Sequence, residues 1–77
     1  MKTPKEKFRE CCLIIINNSE KRALKWCVNY AQAGLNLHTN NEIHTQILYI
    51  LSNMQHWRGE EAKQVRSTLK ELLDETR

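Results

Sequence analysis

The segment Thr39–Val65 has the sequence TNNEIHTQILYILSNMQHWRGEEAKQV, and its pattern decides the fold. Thr39 and Glu42 stand at the spacing of a capping box, in which each residue bonds to the other's backbone where a helix begins. Apolar residues then recur at helical intervals: Ile43, Ile47, Ile50, Leu51 and Met54. Because Gly59 interrupts this pattern, the spacing predicts a helix over residues 41–56.

A second amphipathic pattern begins directly after Gly59. Its apolar side comprises Ala62, Val65, Leu69, Leu72 and Leu73. Glu60 and Glu61 would stabilise its first turn through the helix dipole, so we expect a helix over residues 60–75. A short connection makes neighbouring helices antiparallel, which predicts a hairpin. The phase of the apolar positions is also partly compatible with one long helix that continues through Gly59.

The N-terminal half predicts two further helices, over residues 4–16 and 19–33. Thr3 and Pro4 are typical of a helix start, and the core side of the first helix would be Phe8, Cys11, Cys12 and Ile15. Ser19 is the expected cap of the second helix, and Gly34 its expected left-handed C-terminal residue. The core side of that helix would be Leu24, Cys27, Val28 and Ala31. The predicted fold is therefore all-α, a single-domain bundle of about four helices spanning residues 1–77.

Length and cysteine content limit the class of protein. A chain of 77 residues holds one small domain, and its three cysteines cannot all be paired within it. No apolar stretch and cleavage site of a signal peptide follow the basic N-terminus, and the longest apolar run, Cys11–Ile16, is far too short to cross a bilayer. We therefore expect reduced cysteines, no membrane association and a cytoplasmic location.

The residues that could carry chemistry lack the spacing that chemistry requires. Structural zinc sites place paired ligands two to four residues apart, whereas Cys11 and Cys12 are adjacent and His38, His44 and His56 are isolated. Cys27 has no base near it in the sequence, and no phosphate-binding glycine loop is present. The sequence predicts no catalytic residue, metal site, cofactor or small-molecule substrate, and hence a protein that is not an enzyme.

The segment Trp26–Trp57 is the chain's most unusual feature, because Glu42 is its only formally charged residue. The cores of protein interfaces are depleted of charge and enriched in tryptophan and tyrosine. Four aromatic residues fit such an interface: Trp26, Tyr30, Tyr49 and Trp57. We expect a non-enzymatic interaction or regulatory module that binds a protein partner or itself as a homo-oligomer. The alternative is that helix 3 is simply the most buried helix, with Tyr49 and Trp57 at the edge of the core.

Nucleic-acid binding is a second hypothesis for function. The net charge is only +3, but basic residues occur at the start of helix 2 and along helix 4: Lys21, Arg22, Lys25, Lys63, Arg66 and Lys70. Free backbone N–H groups from Ser19 to Arg22 would help to hold a phosphate. Ion pairs of Lys63 with Glu60 and of Lys70 with Asp74 would instead make the helix 4 stripe an ordinary solvated face.

Overall fold

A computed structural model describes residues 2–76, the side chain of residue 23 excepted, and over this range the protein is all-α. The helices are α1 (Pro4–Asn17), α2 (Lys25–Gly34), α3 (Asn40–Asn53) and α4 (Glu60–Glu75), with a short 3₁₀-helix at Arg22–Leu24 before α2. The predicted helical fold is confirmed. The two ends of the predicted domain, residues 1 and 77, lie outside the described residues.

The four helices form a bundle in which α1 and α3 also contact each other across the centre. α1 contacts α2 and α4, and α3 also contacts α2 and α4, so that α2 and α4 occupy opposite corners. In the α3–α4 pair, His44 near the start of α3 lies 3.1 Å (Nδ1 to Oγ1) from Thr76, just after the end of α4. The Arg66 guanidinium reaches the other end of α3. The predicted antiparallel hairpin is therefore confirmed.

One core fills the space between the helices. The positions predicted as core in α1 are all buried, and most of those in the other helices are buried with them: Phe8, Cys11, Cys12, Ile15, Leu24, Cys27, Ala31, Ile43, Ile47, Ile50, Met54, Ala62, Val65, Leu69 and Leu72. Val28, Leu51 and Leu73 are half-buried at its edge. Helical periodicity alone was sufficient to place these side chains because each helix has one apolar side.

Two helix starts have the caps that their sequences predict. The Thr3 hydroxyl accepts a hydrogen bond from the Glu6 N–H at 3.2 Å, with Pro4 in the first turn. At α3 the capping box is complete, since the Thr39 hydroxyl accepts from the Glu42 N–H and the Glu42 carboxylate accepts from the Thr39 N–H. These bonds pair N–H groups that have no partner within the helix.

α3 and α4 are separate helices because of Gly59, which lies in the loop between them and has a φ of 116°. This conformation is accessible to glycine and strongly disfavoured for other residues. The single long helix is thus excluded. α3 ends at Asn53, three residues earlier than predicted, and the Arg66 guanidinium donates to the carbonyl oxygens of Met54 at 3.2 Å and Trp57 at 3.0 Å. Arg66 therefore closes the end of α3.

The predicted start of α2 was wrong. The chain after α1 continues in turns, with the Ser19 N–H donating to Ile16 O at 3.1 Å and the Lys21 N–H donating to Asn18 O at 3.0 Å. Asn18 stabilises this path, because its side-chain amide donates to Ile14 O at 2.8 Å and to a Glu61 carboxylate oxygen at 3.0 Å. Ser19 consequently caps no helix, and α2 begins only at Lys25.

Gly34 also differs from its prediction. It is the last residue of α2 and does not have positive φ. Its role is close packing, since a Cβ atom at this position would lie 2.9 Å from two ring carbons of Phe8 and 3.1 Å from Cys12 Sγ. Glycine is needed here so that α2 can approach α1. Among the helices of residues 2–76, none combines the length and the hydrophobicity needed to cross a membrane.

Candidate protein-interaction surface

Three aromatic residues form a continuous feature where α2 and α3 meet. Trp26 and Tyr30 are one turn apart on α2 and therefore lie on the same side of that helix. Tyr30 stacks on Tyr49 of α3, with ring centroids 5.4 Å apart and ring planes at 28°. The Trp26 side chain is 62% exposed and Tyr49 is 50% exposed. We call Trp26, Tyr30 and Tyr49 the aromatic face.

Contacts between the two helices hold the aromatic face in place. The Gln46 side-chain amide donates to Tyr30 O at 2.8 Å, and the Cys27 thiol donates to Ile50 O at 3.4 Å. These two bonds set α2 antiparallel to α3. They place Trp26 near the C-terminal end of α3, where the Lys25 ammonium lies 5.6 Å from the centre of the indole ring.

The solvent-facing side of α3 continues this surface, and Glu42 in its first turn is the one charged residue of that helix. Five residues of this side are all exposed and share one arc of the helix: Asn41, Thr45, Leu48, Tyr49 and Ser52. We call this set the outer face of α3. Leu48, which is 47% exposed, was absent from the sequence-based candidates. The sequence does indicate its exposure, because Leu48 points to a different side of the helix from the buried residues Ile43, Ile47 and Ile50.

Two hydroxyl groups of the outer face are already hydrogen-bonded within α3. The Thr45 hydroxyl donates to Asn41 O at 3.1 Å, and the Ser52 hydroxyl donates to Leu48 O at 2.9 Å. Beside this face, the Asn53 side-chain amide likewise donates to Tyr49 O at 2.8 Å. A donor that has a partner within its own helix is not left unpaired when water is removed. Covering Thr45 and Ser52 therefore has a low desolvation cost.

Trp57 does not belong to this surface. Its side chain is only 3% exposed and is part of the core beside Met54. The expectation that its indole could contact a partner therefore needs correction. The loop between α3 and α4 folds inward here because Arg66 binds the backbone carbonyl of Trp57 itself.

The candidate nucleic-acid residues come from two elements that lie at the same end of the bundle. Lys21, Arg22 and Lys25 lie just before and at the start of α2, and Lys63, Arg66 and Lys70 lie on α4, whose first turn is bonded to Asn18 through Glu61. Arg66 is half-buried and bound to two backbone carbonyls. The N–H groups of Ser19 and Lys21 also have backbone partners and are not free for a phosphate.

If the basic side of α4 is an ordinary solvated face, we expect ion pairs of Lys63 with Glu60 and of Lys70 with Asp74. Ion pairs among residues 2–76 include Lys2 with Glu10 and Lys7 with Glu75, the latter at 3.1 Å. Lys63–Glu60 is not one of them. Lys63 and Lys70 remain exposed beside Arg66 on the outer side of α4.

The three thiols are buried and are poorly suited to act as nucleophiles. Burial, together with the neighbouring Glu10 charge, raises the pKa of Cys11 to about 11. Burial also raises the pKa of Cys12 to about 12, with Cys11 and Cys27 adding to the effect, and burial raises the pKa of Cys27 to about 11. A cysteine nucleophile needs a lowered pKa. Within the described part of the chain, His, Cys, Asp and Glu side chains form no cluster suited to a metal ion.

An open groove of about 300 Å³ runs between α1 and α4, with Cys11 and Val65 on its floor. Two of its charged wall residues, Lys7 and Glu10, are engaged in the ion pairs with Glu75 and Lys2. The other polar residues of its walls are Gln64, Thr68 and Glu71.

No protein-family model, curated protein or solved structure matches this chain. We therefore infer its function from the side chains described above.

Proposed function

We propose that this protein is a non-enzymatic interaction module that binds a protein partner through the aromatic face and the outer face of α3. The observation that carries the proposal is the Trp26 and Tyr49 pair: two large aromatic side chains, 62% and 50% exposed, beside a helix face without formal charge. Tryptophan and tyrosine are the residue types in which binding energy most often concentrates.

Two further properties support a buried contact. The Tyr30–Tyr49 stack restrains two of the three aromatic rings before binding, so that less side-chain entropy remains to be lost. The hydroxyl donors of Thr45 and Ser52 are satisfied within α3, so that covering them leaves no unpaired donor.

The competing functions have less support. Nucleic-acid binding would use both basic groups, but Arg66, the central residue of the α4 group, is half-buried and bound to two backbone carbonyls. Catalysis would need an activated group, and the three cysteines have raised pKa values. Three unpaired, buried cysteines are compatible with the proposed cytoplasmic location, where thiols stay reduced.

Site-specific photocrosslinking in living cells tests the surface. The photoreactive residue p-benzoylphenylalanine replaces Tyr49 in one variant and Leu13 in the other. Leu13 is the matched control because it is also a large apolar side chain, 44% exposed, but lies on α1 away from the aromatic face. We expect protein adducts from position 49 and few from position 13.

The second part of the experiment adds Trp26→Glu to the variant that carries p-benzoylphenylalanine at position 49. If the aromatic face is the contact surface, this charge at its other end reduces the adducts. Equal adduct yields from positions 49 and 13, or yields that Trp26→Glu leaves unchanged, would contradict the proposal.

A further inference from the structure

We propose that the partner of this surface is a second copy of the chain, bound about a two-fold axis with the α3 helices antiparallel. This inference rests on the proposed function and names the partner for that surface. It is carried by two independent features, the polar chemistry of the outer face of α3 and the positions of the charges at its ends.

The outer face of α3 is chemically self-complementary. In a two-fold interface the same patch contacts itself, so a charged residue near the axis meets its own like charge. Asn41 instead carries an amide, which both donates and accepts hydrogen bonds, and the hydroxyl oxygens of Thr45 and Ser52 can still accept although their hydrogens bond within α3. Leu48 and Tyr49, near the middle of α3, supply apolar area that packs equally well on its own copy. A face with these residues can pair with itself without repulsion.

The charges at the ends of α3 select the antiparallel orientation. Glu42 is at the N-terminal end of α3, and Lys25 lies near the C-terminal end because α2 runs antiparallel to α3. Parallel pairing would place the two Glu42 carboxylates together. Antiparallel pairing places Glu42 of one copy at the end of α3 where Lys25 of the other copy lies. Opposite charges at the rim favour this register and suppress the alternative.

The size of the surface sets the expected affinity. A standard interface buries about 800 Å² from each partner, compared with a total accessible surface of 5182 Å² here. α3 has 14 residues, a length of roughly 21 Å. One helix face of that length is a minor part of a standard interface, so Trp26 of the aromatic face has to take part. We therefore expect a reversible dimer with Kd on the order of 10–100 µM.

A charge-exchange experiment tests this geometry on the full chain. Leu48→Glu and Leu48→Lys place like charges near the proposed axis, so each variant alone should remain monomeric at concentrations where the wild-type chain dimerises. Mixed in equal amounts, the two variants place opposite charges at the axis and should recover the doubled mass. Light scattering across a hundredfold concentration range measures all three samples. Leu48 is exposed, and circular dichroism verifies that both variants remain folded.

Leu13→Glu is the matched control, since it introduces the same charge at an exposed leucine of α1. It should dimerise like the wild type. The second-copy assignment is overturned if the wild-type chain keeps the monomer mass throughout, if Leu13→Glu dissociates the dimer as strongly as Leu48→Glu, or if mixing restores nothing. A monomeric wild type that still gives adducts specific to position 49 overturns this assignment alone. A monomeric wild type that also gives no adducts specific to position 49 overturns both this assignment and the proposed function.

Discussion

α3 and α4 are the two halves of one hairpin, with matching inner sides and contrasting outer sides. Inside, α3 contributes Ile43, Ile47 and Ile50, and α4 contributes Val65, Leu69 and Leu72, all of them fully or almost fully buried. Outside, α4 carries the usual mixture of charges, including Lys63, Lys70 and Glu71, whereas the outer face of α3 carries none.

This difference distinguishes what folding requires of a helix surface from what binding would require. The α4 helix demonstrates that the bundle tolerates charge on its solvent-facing side, so folding did not require the outer face of α3 to be neutral. A neutral, partly aromatic face in the same fold is what the proposed contact would use.

The inner sides of the two helices should be equally important for stability. Ile47→Ala in α3 and Leu69→Ala in α4 each remove buried methyl groups and should cost about 2–5 kcal/mol. A core of this size supplies only about 3–5 kcal/mol in total, so both variants should be largely unfolded at 25 °C. Ellipticity at 222 nm and urea unfolding measure the loss.

The milder variant Ile47→Val, with an expected cost of about 0.5–1.5 kcal/mol, keeps the comparison measurable. If Ile47→Ala were tolerated while Leu69→Ala unfolded the protein, the two inner sides would not be equivalent.

The basic stripe of α4 should divide into one structural and two surface residues. Arg66→Ala removes the hydrogen bonds to Met54 O and Trp57 O and should destabilise the protein by about 1.5–3 kcal/mol. Lys70→Ala is the control on the same stripe. It is exposed and should change the free energy of unfolding by less than about 0.5 kcal/mol. Equal effects of the two substitutions in urea unfolding would mean that Arg66 does not close α3.

The junction between α3 and α4 should depend on Gly59. Gly59→Ala forces a side chain into a backbone with φ of 116°, at an expected cost of about 1–3 kcal/mol. No atom lies within 4 Å of the added Cβ, so the cost would come from the backbone alone. Thermal unfolding should show a lowered Tm with no gain in ellipticity. A gain in helix content would indicate that the two helices can fuse.

The smallest effect should come from the capping box of α3. Hydrogen bonds from the Thr39 hydroxyl and backbone lower the pKa of Glu42 below its usual value. Because the folded-state pKa is the lower one, this stabilisation is complete above the ordinary glutamate pKa of about 4.3 and is lost as pH falls through the lowered value.

Glu42→Gln keeps the capping geometry without the titration and serves as the control. The Tm of the wild type should therefore fall more than that of Glu42→Gln between about pH 5 and pH 3. Parallel Tm curves for the two proteins would exclude a titrating cap.

Some elements could be predicted from the sequence because they depend on local chemistry. Periodicity placed the buried residues of all four helices, and the capping residues placed the starts of α1 and α3. The break at Gly59 was predicted from the same local information. For the candidate surface, the charge-poor segment identified Trp26, Tyr30 and Tyr49, and it missed Leu48, which was assigned neither to the core nor to the surface.

Other elements depended on contacts between distant residues. The start of α2 moved to Lys25 because Asn18 bonds to Ile14 and Glu61. Gly34 is needed because of the Phe8 ring, which lies on another helix. Trp57 became a core residue, and Arg66 a structural one, because the loop after α3 folds against α4. No local pattern contains this information.

The sequence by itself determined the four amphipathic helices, their inner sides and the lack of charge between Trp26 and Trp57, since these follow from residue order and helical geometry. Only the tertiary structure decided which of the uncharged residues face solvent. It joined Tyr30 to Tyr49, buried Trp57 and bound Arg66 to the loop after α3. The physical reason is that a surface forms where helices meet, and their meeting depends on long-range packing that no single segment encodes.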